Sequence, residues 1–124
     1  MVSPAGAAGF WQFLSGTGRN FGLEINDAID ERYHLQKSTR AACKYLKDAK
    51  ERLGSWSLAA AAYNFGTDGI SSKLQAQQVN NYYDLFLTHE TSRYVFRMLA
   101  MKVIFSNPQK AGFYSKEADL YQPF

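Results

Sequence analysis

Apolar positions recur at helical spacing in three segments of the chain, and the longest of these begins at Leu35. Its other face carries lysine and acidic side chains, and Gly54 is a natural stop for a helix. The apolar face of this segment carries Leu35, Ala42, Leu46, Ala49 and Leu53. The spacing therefore predicts an amphipathic helix that ends before Gly54.

The second segment, residues 58–63 (LAAAAY), is apolar on every side. A helix without a polar face is expected in the interior, so we predict that this is the central buried helix. Ser55 or Ser57 is placed to cap its N-terminus. Residues 64–69 (NFGTDG) are rich in turn formers and mark its end.

The third segment predicts a long helix over about residues 90–105, preceded by Thr88 or His89 and ended by Asn107 and Pro108. One apolar face carries Tyr94, Met98, Met101 and Phe105.

Shorter elements complete the expected fold. Pro4 suits the first turn of a short helix through Phe13, and residues 70–77 form a weaker helical pattern. Residues 26–32 are expected to form a loop and residues 112–124 an irregular tail. Alternating β-branched runs are absent from the sequence, so we predict one all-α domain over residues 1–124.

Composition excludes several classes of function. The chain has 124 residues, 46% of them hydrophobic and 20% charged, which is typical of a globular domain. A net charge of +3 is too small to indicate nucleic-acid binding. Cys43 lies within a helical pattern and is expected to be a small buried residue. The two histidines are isolated, so neither a metal nor a cofactor is expected, and residues 1–4 do not resemble a signal peptide.

Aromatic residues make up 15% of the chain, which fits either a core of large side chains or a groove lined with rings. In the cluster of Phe10, Trp11 and Phe13, helical spacing directs at least two rings inward, and we assign Trp11 to the core. A sugar platform is the alternative.

Three clusters together resemble the goose-lysozyme-like lytic transglycosylases, and most closely their membrane-bound murein transglycosylase D branch. The clusters are residues 3–12 (SPAGAAGFWQ), 61–66 (AAYNFG) and 90–95 (ETSRYV). Their order and separation are also similar to those of the family. Phe65 departs from the pattern, because the family more often has a small residue there.

The resemblance implies a lysozyme-like fold and cleavage of the β-1,4 bond between N-acetylmuramic acid and N-acetylglucosamine in peptidoglycan. The muramoyl C6 hydroxyl attacks its own C1, so the product is a 1,6-anhydro sugar. One glutamic acid acts first as acid and then as base. That residue precedes the one matching Ser3 and would lie before Met1. We therefore expect this chain to lack the catalytic glutamate and its helix, and to be inactive.

Four residues of the first two clusters are candidate substrate contacts by this resemblance. Gln12 offers an amide to hydroxyl and N-acetyl groups, and the alternative is an amide that satisfies backbone groups. Tyr63 offers a phenol and a ring, or is a core tyrosine. Asn64 holds the N-acetyl group or ends a helix. Ser3 matches a serine near the family's catalytic carboxyl, or caps a helix.

The third cluster contributes Glu90 and Tyr94 to the predicted substrate-binding set. Glu90 either contacts substrate at the cleft or complements the dipole of a helix N-terminus. Replacement of the missing acid by Glu90 is the least favoured alternative, because a displaced acid loses its orientation toward the scissile oxygen.

The implied partner is a peptidoglycan glycan strand, in the periplasm or cell envelope. A catalytically silent glycan-binding module and a helical protein-interaction domain are the competing hypotheses. Loss of one helix would expose apolar surface on residues 58–63, so self-association or helix exchange is also expected.

Overall fold

The computed structural model describes residues 2–114 and Lys116. These residues form two compact units, which are divided in the sequence between Phe86 and Leu87. A 3-10 helix occupies Glu31–Tyr33, and the α-helices are α1 (Ser15–Asn20), α2 (Leu35–Leu53), α3 (Trp56–Phe65), α4 (Thr67–Gln77) and α5 (His89–Ser106). Between residues 2 and 114 there is no β-strand, and the all-α prediction is confirmed.

Helix α2 has the bounds that its pattern predicts. Its N-terminus is capped by His34, whose Nδ1 accepts a hydrogen bond from the Lys37 amide at 3.3 Å. It ends at Gly54, which has a φ of 94° and donates its N–H to the Lys50 carbonyl at 2.8 Å. This left-handed C-terminal residue is the geometry that glycine adopts without strain.

Helix α3 is the buried centre of the first unit, as predicted. The Ser55 hydroxyl caps it by accepting from the Leu58 amide at 3.2 Å. Its apolar residues Leu58, Ala59, Ala61 and Ala62 are at most 1% exposed. The expectation of a bare surface on this helix is therefore wrong, because small alanine side chains allow α2 and α4 to pack closely against it.

Residues 4–13 do not form the predicted helix. The segment turns instead, with isolated bridges from Ala8 to Val2 and to Phe13. Gly6 and Gly9 have φ values of 82° and 79°, which no right-handed helix contains. The small residues of this segment give a helix little to bury, so the turn-forming glycines decide its path.

Cys43 is exposed, so its predicted burial is wrong. It follows the fully buried Ala42 by one position, and successive helical residues point in directions about 100° apart. Cys43 therefore shares the outer face of α2 with the exposed Lys44 and Lys47.

Helix α5 forms most of the second unit. Thr88 caps its N-terminus by accepting a hydrogen bond from the Thr91 amide at 3.4 Å, as predicted. Large apolar side chains along it are exposed, namely Phe96, Leu99, Met101, Val103 and Phe105. Among the described residues, no helix combines the length and apolar character that a bilayer-crossing segment needs. Residues 115 and 117–124 of the predicted tail lie outside the described residues.

Candidate functional site

The first unit contains a cleft of about 210 Å³ where the loop before α1 meets the end of α3. Three of the predicted site residues line it together: Gln12, Tyr63 and Asn64. The other lining residues are Phe13, Leu14, Thr17, Tyr45, Phe65 and Gly66. Residues 52 positions apart in the sequence, the distance from Gln12 to Asn64, thus meet at one site.

Gln12 reaches the cleft from a tight loop between Ala8 and Phe13, which are joined by a backbone hydrogen bond of 3.0 Å. Its φ of 53° is uncommon for a residue with a side chain, and such conformations cluster at functional sites. The Gln12 side-chain amide donates to the Gly9 carbonyl at 2.7 Å. This bond fixes the direction of the amide oxygen at an exposed position.

Gly9 is required for this loop. Its φ is 79°, and a Cβ at this position would overlap the backbone carbonyl of Arg32. The close approach brings the loop against the segment that contains Arg32.

The guanidinium of Arg32 binds backbone carbonyls of the same loop. The sequence did not predict this role of Arg32. Its Nη1 donates to the carbonyls of Gly6 at 2.9 Å and Phe13 at 3.1 Å, while Nη2 pairs with Asp30 Oδ2 at 2.6 Å. Hydrogen bonding from Arg32 is the main cause that lowers the pKa of Asp30 below its ordinary value. An arginine in a polar loop carries no sequence signal that its partners are backbone carbonyls.

Tyr63 joins α3 to the same loop. Its hydroxyl donates to the Trp11 carbonyl at 2.7 Å, and its ring makes edge contacts with Trp11, Phe13 and Tyr45. Trp11 is partly buried against the core and donates its indole N–H to Thr39 Oγ1 at 2.8 Å. Phe13 is buried, whereas Phe10 is exposed. Two of the three clustered rings therefore point inward, as predicted.

Tyr45 is a second contributor that sequence reasoning missed. Its hydroxyl donates to the Ala62 carbonyl at 2.9 Å and lies 3.1 Å from Thr67 Oγ1, a bond in which Thr67 donates. It therefore joins α2 to both α3 and α4 beside the cleft. In the sequence, Tyr45 is recognisable only as an aromatic residue beside the apolar face of α2.

Asn64 lies in the last turn of α3, is exposed and lines the cleft. Helix termination, its alternative role, belongs instead to Gly66, which has a φ of 90° and donates to the Ala62 carbonyl at 2.7 Å. Ser3 is not among the lining residues. Its hydroxyl accepts from the Ala7 amide at 2.9 Å, so it caps a turn rather than a helix.

Glu90 and Tyr94 belong to α5 in the second unit, and their contact with substrate stays a prediction. Glu90 lies in the first turn of the helix, where a carboxylate complements the helix dipole. Tyr94 is partly buried, and this burial raises the pKa of its phenol. The second unit also has a cavity of about 690 Å³, which neither of these two residues lines.

The chemistry available in the cleft is that of neutral polar recognition. Two amides, two phenols, a threonine and phenylalanine rings line it, and none of the lining residues within the described part of the chain carries a carboxyl group. Amides and hydroxyls both donate and accept hydrogen bonds, as a ligand rich in hydroxyl and acetamido groups requires. Within the described residues, no three His, Cys, Asp or Glu side chains are arranged to hold a metal ion.

Comparison with known proteins identifies the family of the chain and agrees with the helical fold. Residues 1–86, the whole first unit, match the family described as the transglycosylase SLT domain. The chain belongs to this family, and the resemblance found from the sequence motifs is confirmed.

Two curated relatives are the membrane-bound lytic murein transglycosylases D of Escherichia coli strains K12 and O6:H1. Each is 34% identical to this chain over 116 residues, which cover 90% of the chain and 26% of the relative. The chain thus spans about a quarter of the length of these relatives.

Proposed function

We propose that this chain is the glycan-binding part of a peptidoglycan lytic transglycosylase. The reaction is the non-hydrolytic cleavage of the β-1,4 bond between N-acetylmuramic acid and N-acetylglucosamine, with formation of 1,6-anhydro-N-acetylmuramic acid. The observation that carries the proposal is the meeting of Gln12, Tyr63 and Asn64 at one cleft. Family membership and the names of the two relatives support the same substrate.

The cleft is suited to holding a sugar in one orientation. The amides of Gln12 and Asn64 complement the acetamido and hydroxyl groups of an N-acetylated hexose. The aromatic rings around Tyr63 offer apolar faces to the C–H face of the pyranose ring. Because Gln12 and Tyr63 are both hydrogen-bonded to the backbone of the loop, the recognition surface is formed before ligand binds.

The reaction also needs a proton donor. A carboxyl group protonates the glycosidic oxygen as the bond to C1 breaks, and the resulting carboxylate then accepts the proton of the C6 hydroxyl as the new C6–O–C1 bridge forms. Among the residues that the structure describes, none that lines the cleft carries a carboxyl group. We therefore propose that a polypeptide limited to residues 1–124 binds glycan strands without appreciable turnover.

The absence of a carboxyl group among the lining residues also favours a second candidate function, a catalytically silent peptidoglycan-binding module. The two candidate functions predict different effects of adding a catalytic glutamate to the chain. A chimera in which a helix ending in Glu-Ser precedes Met1 is expected to become active if the domain is a transglycosylase.

Incubation with purified peptidoglycan tests both proposals. Residues 1–124 are expected to sediment with peptidoglycan and to release no anhydro-muropeptides detectable by mass spectrometry, whereas the chimera is expected to release them. Release by residues 1–124 at ordinary rates contradicts the proposed inactivity. A failure to sediment with peptidoglycan contradicts glycan binding and leaves a protein-interaction domain.

The remaining assignments follow from this substrate. We include Ser3, Glu90 and Tyr94 as further glycan contacts, and we place the chain in the cell envelope, on the periplasmic side where peptidoglycan lies. The exposed apolar side chains of α5 support self-association between copies of the chain.

A further inference from the structure

The cleft adjoins a larger groove of about 680 Å³ in the same unit. The two spaces share four lining residues, Thr17, Tyr45, Phe65 and Gly66, so they lie side by side. Ligand pockets in proteins typically measure about 300–1,000 Å³, and the larger groove falls in that range. A ligand that occupies the cleft can therefore extend into the groove past Phe65.

Phe65 lines both spaces, and its ring contacts two residues of α4. Gly69 lies directly against it, because a Cβ at Gly69 would be 2.7 Å from the ring atoms Cδ1 and Cε1. The ammonium group of Lys73 lies 5.4 Å from the ring centroid, within the range of a cation–π contact. The ring is only partly buried, so it is both fixed and accessible.

Charged and amide side chains also line the groove. Asn20, Asp48, Arg52 and Asp68 line it, and Arg52 Nη2 pairs with Asp68 Oδ1 at 2.6 Å. Carboxylate, guanidinium and amide groups beside an aromatic ring can bind the hydroxyls of a sugar while the ring covers its C–H face. The groove therefore differs from the cleft, where carboxylates are absent from the lining.

We propose that Phe65 is a specificity-determining residue that stacks on a second N-acetylhexosamine unit, which occupies the groove beside the sugar in the cleft. This inference rests on the proposed function and adds to it a preference for longer glycans. Thr17 and Tyr45 lie where the two sugar units join, since both residues line both spaces.

Binding of two defined sugars to the chain tests the inference. The probes are N-acetylglucosamine, which can fill only one of the two spaces, and tetra-N-acetylchitotetraose, with affinities measured by isothermal titration calorimetry. The unsubstituted chain is expected to bind the tetrasaccharide more tightly than the monosaccharide. In Phe65→Ala this preference is expected to fall roughly two- to tenfold, the range that corresponds to one aromatic contact.

Gly69→Ala provides a second variant that keeps the Phe65 side chain. Alanine favours the helix more than glycine does, so α4 is expected to keep or gain thermal stability. The added Cβ nevertheless forces the Phe65 ring to move, because 2.7 Å is too short for a contact between carbon atoms. We expect Gly69→Ala to lower the preference for the tetrasaccharide, and the double variant to lose little more than Phe65→Ala alone.

Trp56→Ala is the matched control, because this ring is 59% exposed and lies at the other end of α3. It is expected to leave the tetrasaccharide preference unchanged. Equal preferences in the unsubstituted chain, Phe65→Ala and Gly69→Ala overturn the role of Phe65 and leave the proposed function intact. If the unsubstituted chain binds neither sugar, the proposed function itself fails.

Discussion

At the residue scale, the hydroxyl of Tyr63 connects α3 to the loop that carries Gln12. It donates a hydrogen bond to the Trp11 carbonyl at 2.7 Å. The side-chain amide of Gln12 donates to the Gly9 carbonyl in the same loop. Both predicted side chains therefore bind backbone groups as well as line the cleft. For these two residues, the bonds to backbone groups are compatible with a role in glycan binding, which stays a prediction.

Tyr63→Phe is expected to lower the free energy of unfolding by about 1 kcal/mol, since it leaves a partly buried carbonyl without this donor. Glycan binding is expected to weaken as the Gln12 loop loses its attachment. Urea denaturation and calorimetric titration with chitotetraose measure the two effects. Tyr83→Phe is the control, because Tyr83 is 86% exposed, and a similar loss in both variants argues against the hydrogen bond.

The sequence motifs predicted Gln12, Tyr63 and Asn64 as members of one site, and these three residues line one cleft. Arg32 and Tyr45 could not be predicted in the same way. Their partners include the backbone carbonyls of Gly6 and Ala62, which any residue type offers. Such bonds depend on where the chain passes and not on which side chains it carries.

At the scale of elements, the loop before α1 depends on the salt bridge between Asp30 and Arg32. The buried guanidinium supplies hydrogen bonds to the loop carbonyls that the predicted helix would have satisfied internally. The helix prediction failed here because Pro4 and small residues suit either structure, whereas the left-handed glycines suit only the loop.

The pH dependence of stability tests this salt bridge. The pKa of Asp30 is lowered in the folded chain, so ionised Asp30 stabilises the fold in full at pH values above the ordinary aspartate pKa. This stabilisation is lost as the pH falls through the lowered pKa. Asp30→Asn is expected to cost about 2 kcal/mol at pH 6, typical of hydrogen bonds to charged groups. The difference from the unsubstituted chain is expected to shrink toward pH 2.

Urea denaturation at several pH values measures this difference. Asp27→Asn is the matched control in the same loop, because Asp27 is exposed. A constant difference between Asp30→Asn and the unsubstituted chain from pH 6 to pH 2 would show that ionisation of Asp30 does not stabilise the loop.

At the scale of the whole molecule, α5 carries apolar surface of a kind that soluble monomers rarely expose. Phe96, Leu99 and Val103 follow the spacing of a helix-pairing face, and Phe105 is 72% exposed. The proposed self-association therefore involves α5 and not α3, because Leu58, Ala59, Ala61 and Ala62 of α3 are buried.

Sedimentation velocity over a range of concentrations is expected to show association of the chain. The double variant Leu99→Gln/Val103→Gln is expected to sediment as a monomer, because polar side chains remove the gain from burying this surface. Phe86→Gln serves as the control, since Phe86 is exposed but lies in the first unit. A chain that is monomeric at every concentration contradicts the proposed association.

The sequence by itself determined the bounds of α2, α3 and α5, since periodicity, caps and terminating residues act over a few neighbouring positions. Its motifs also determined the family, because the chemistry of a substrate restricts which side chains can serve it. The tertiary structure decided the path of residues 4–13 and the side-by-side position of the cleft and the groove. Both depend on contacts between segments that are distant in the sequence. The path of the loop depends on bonds to backbone carbonyls, which every residue type offers. The position of the two spaces depends on which distant residues come to line them.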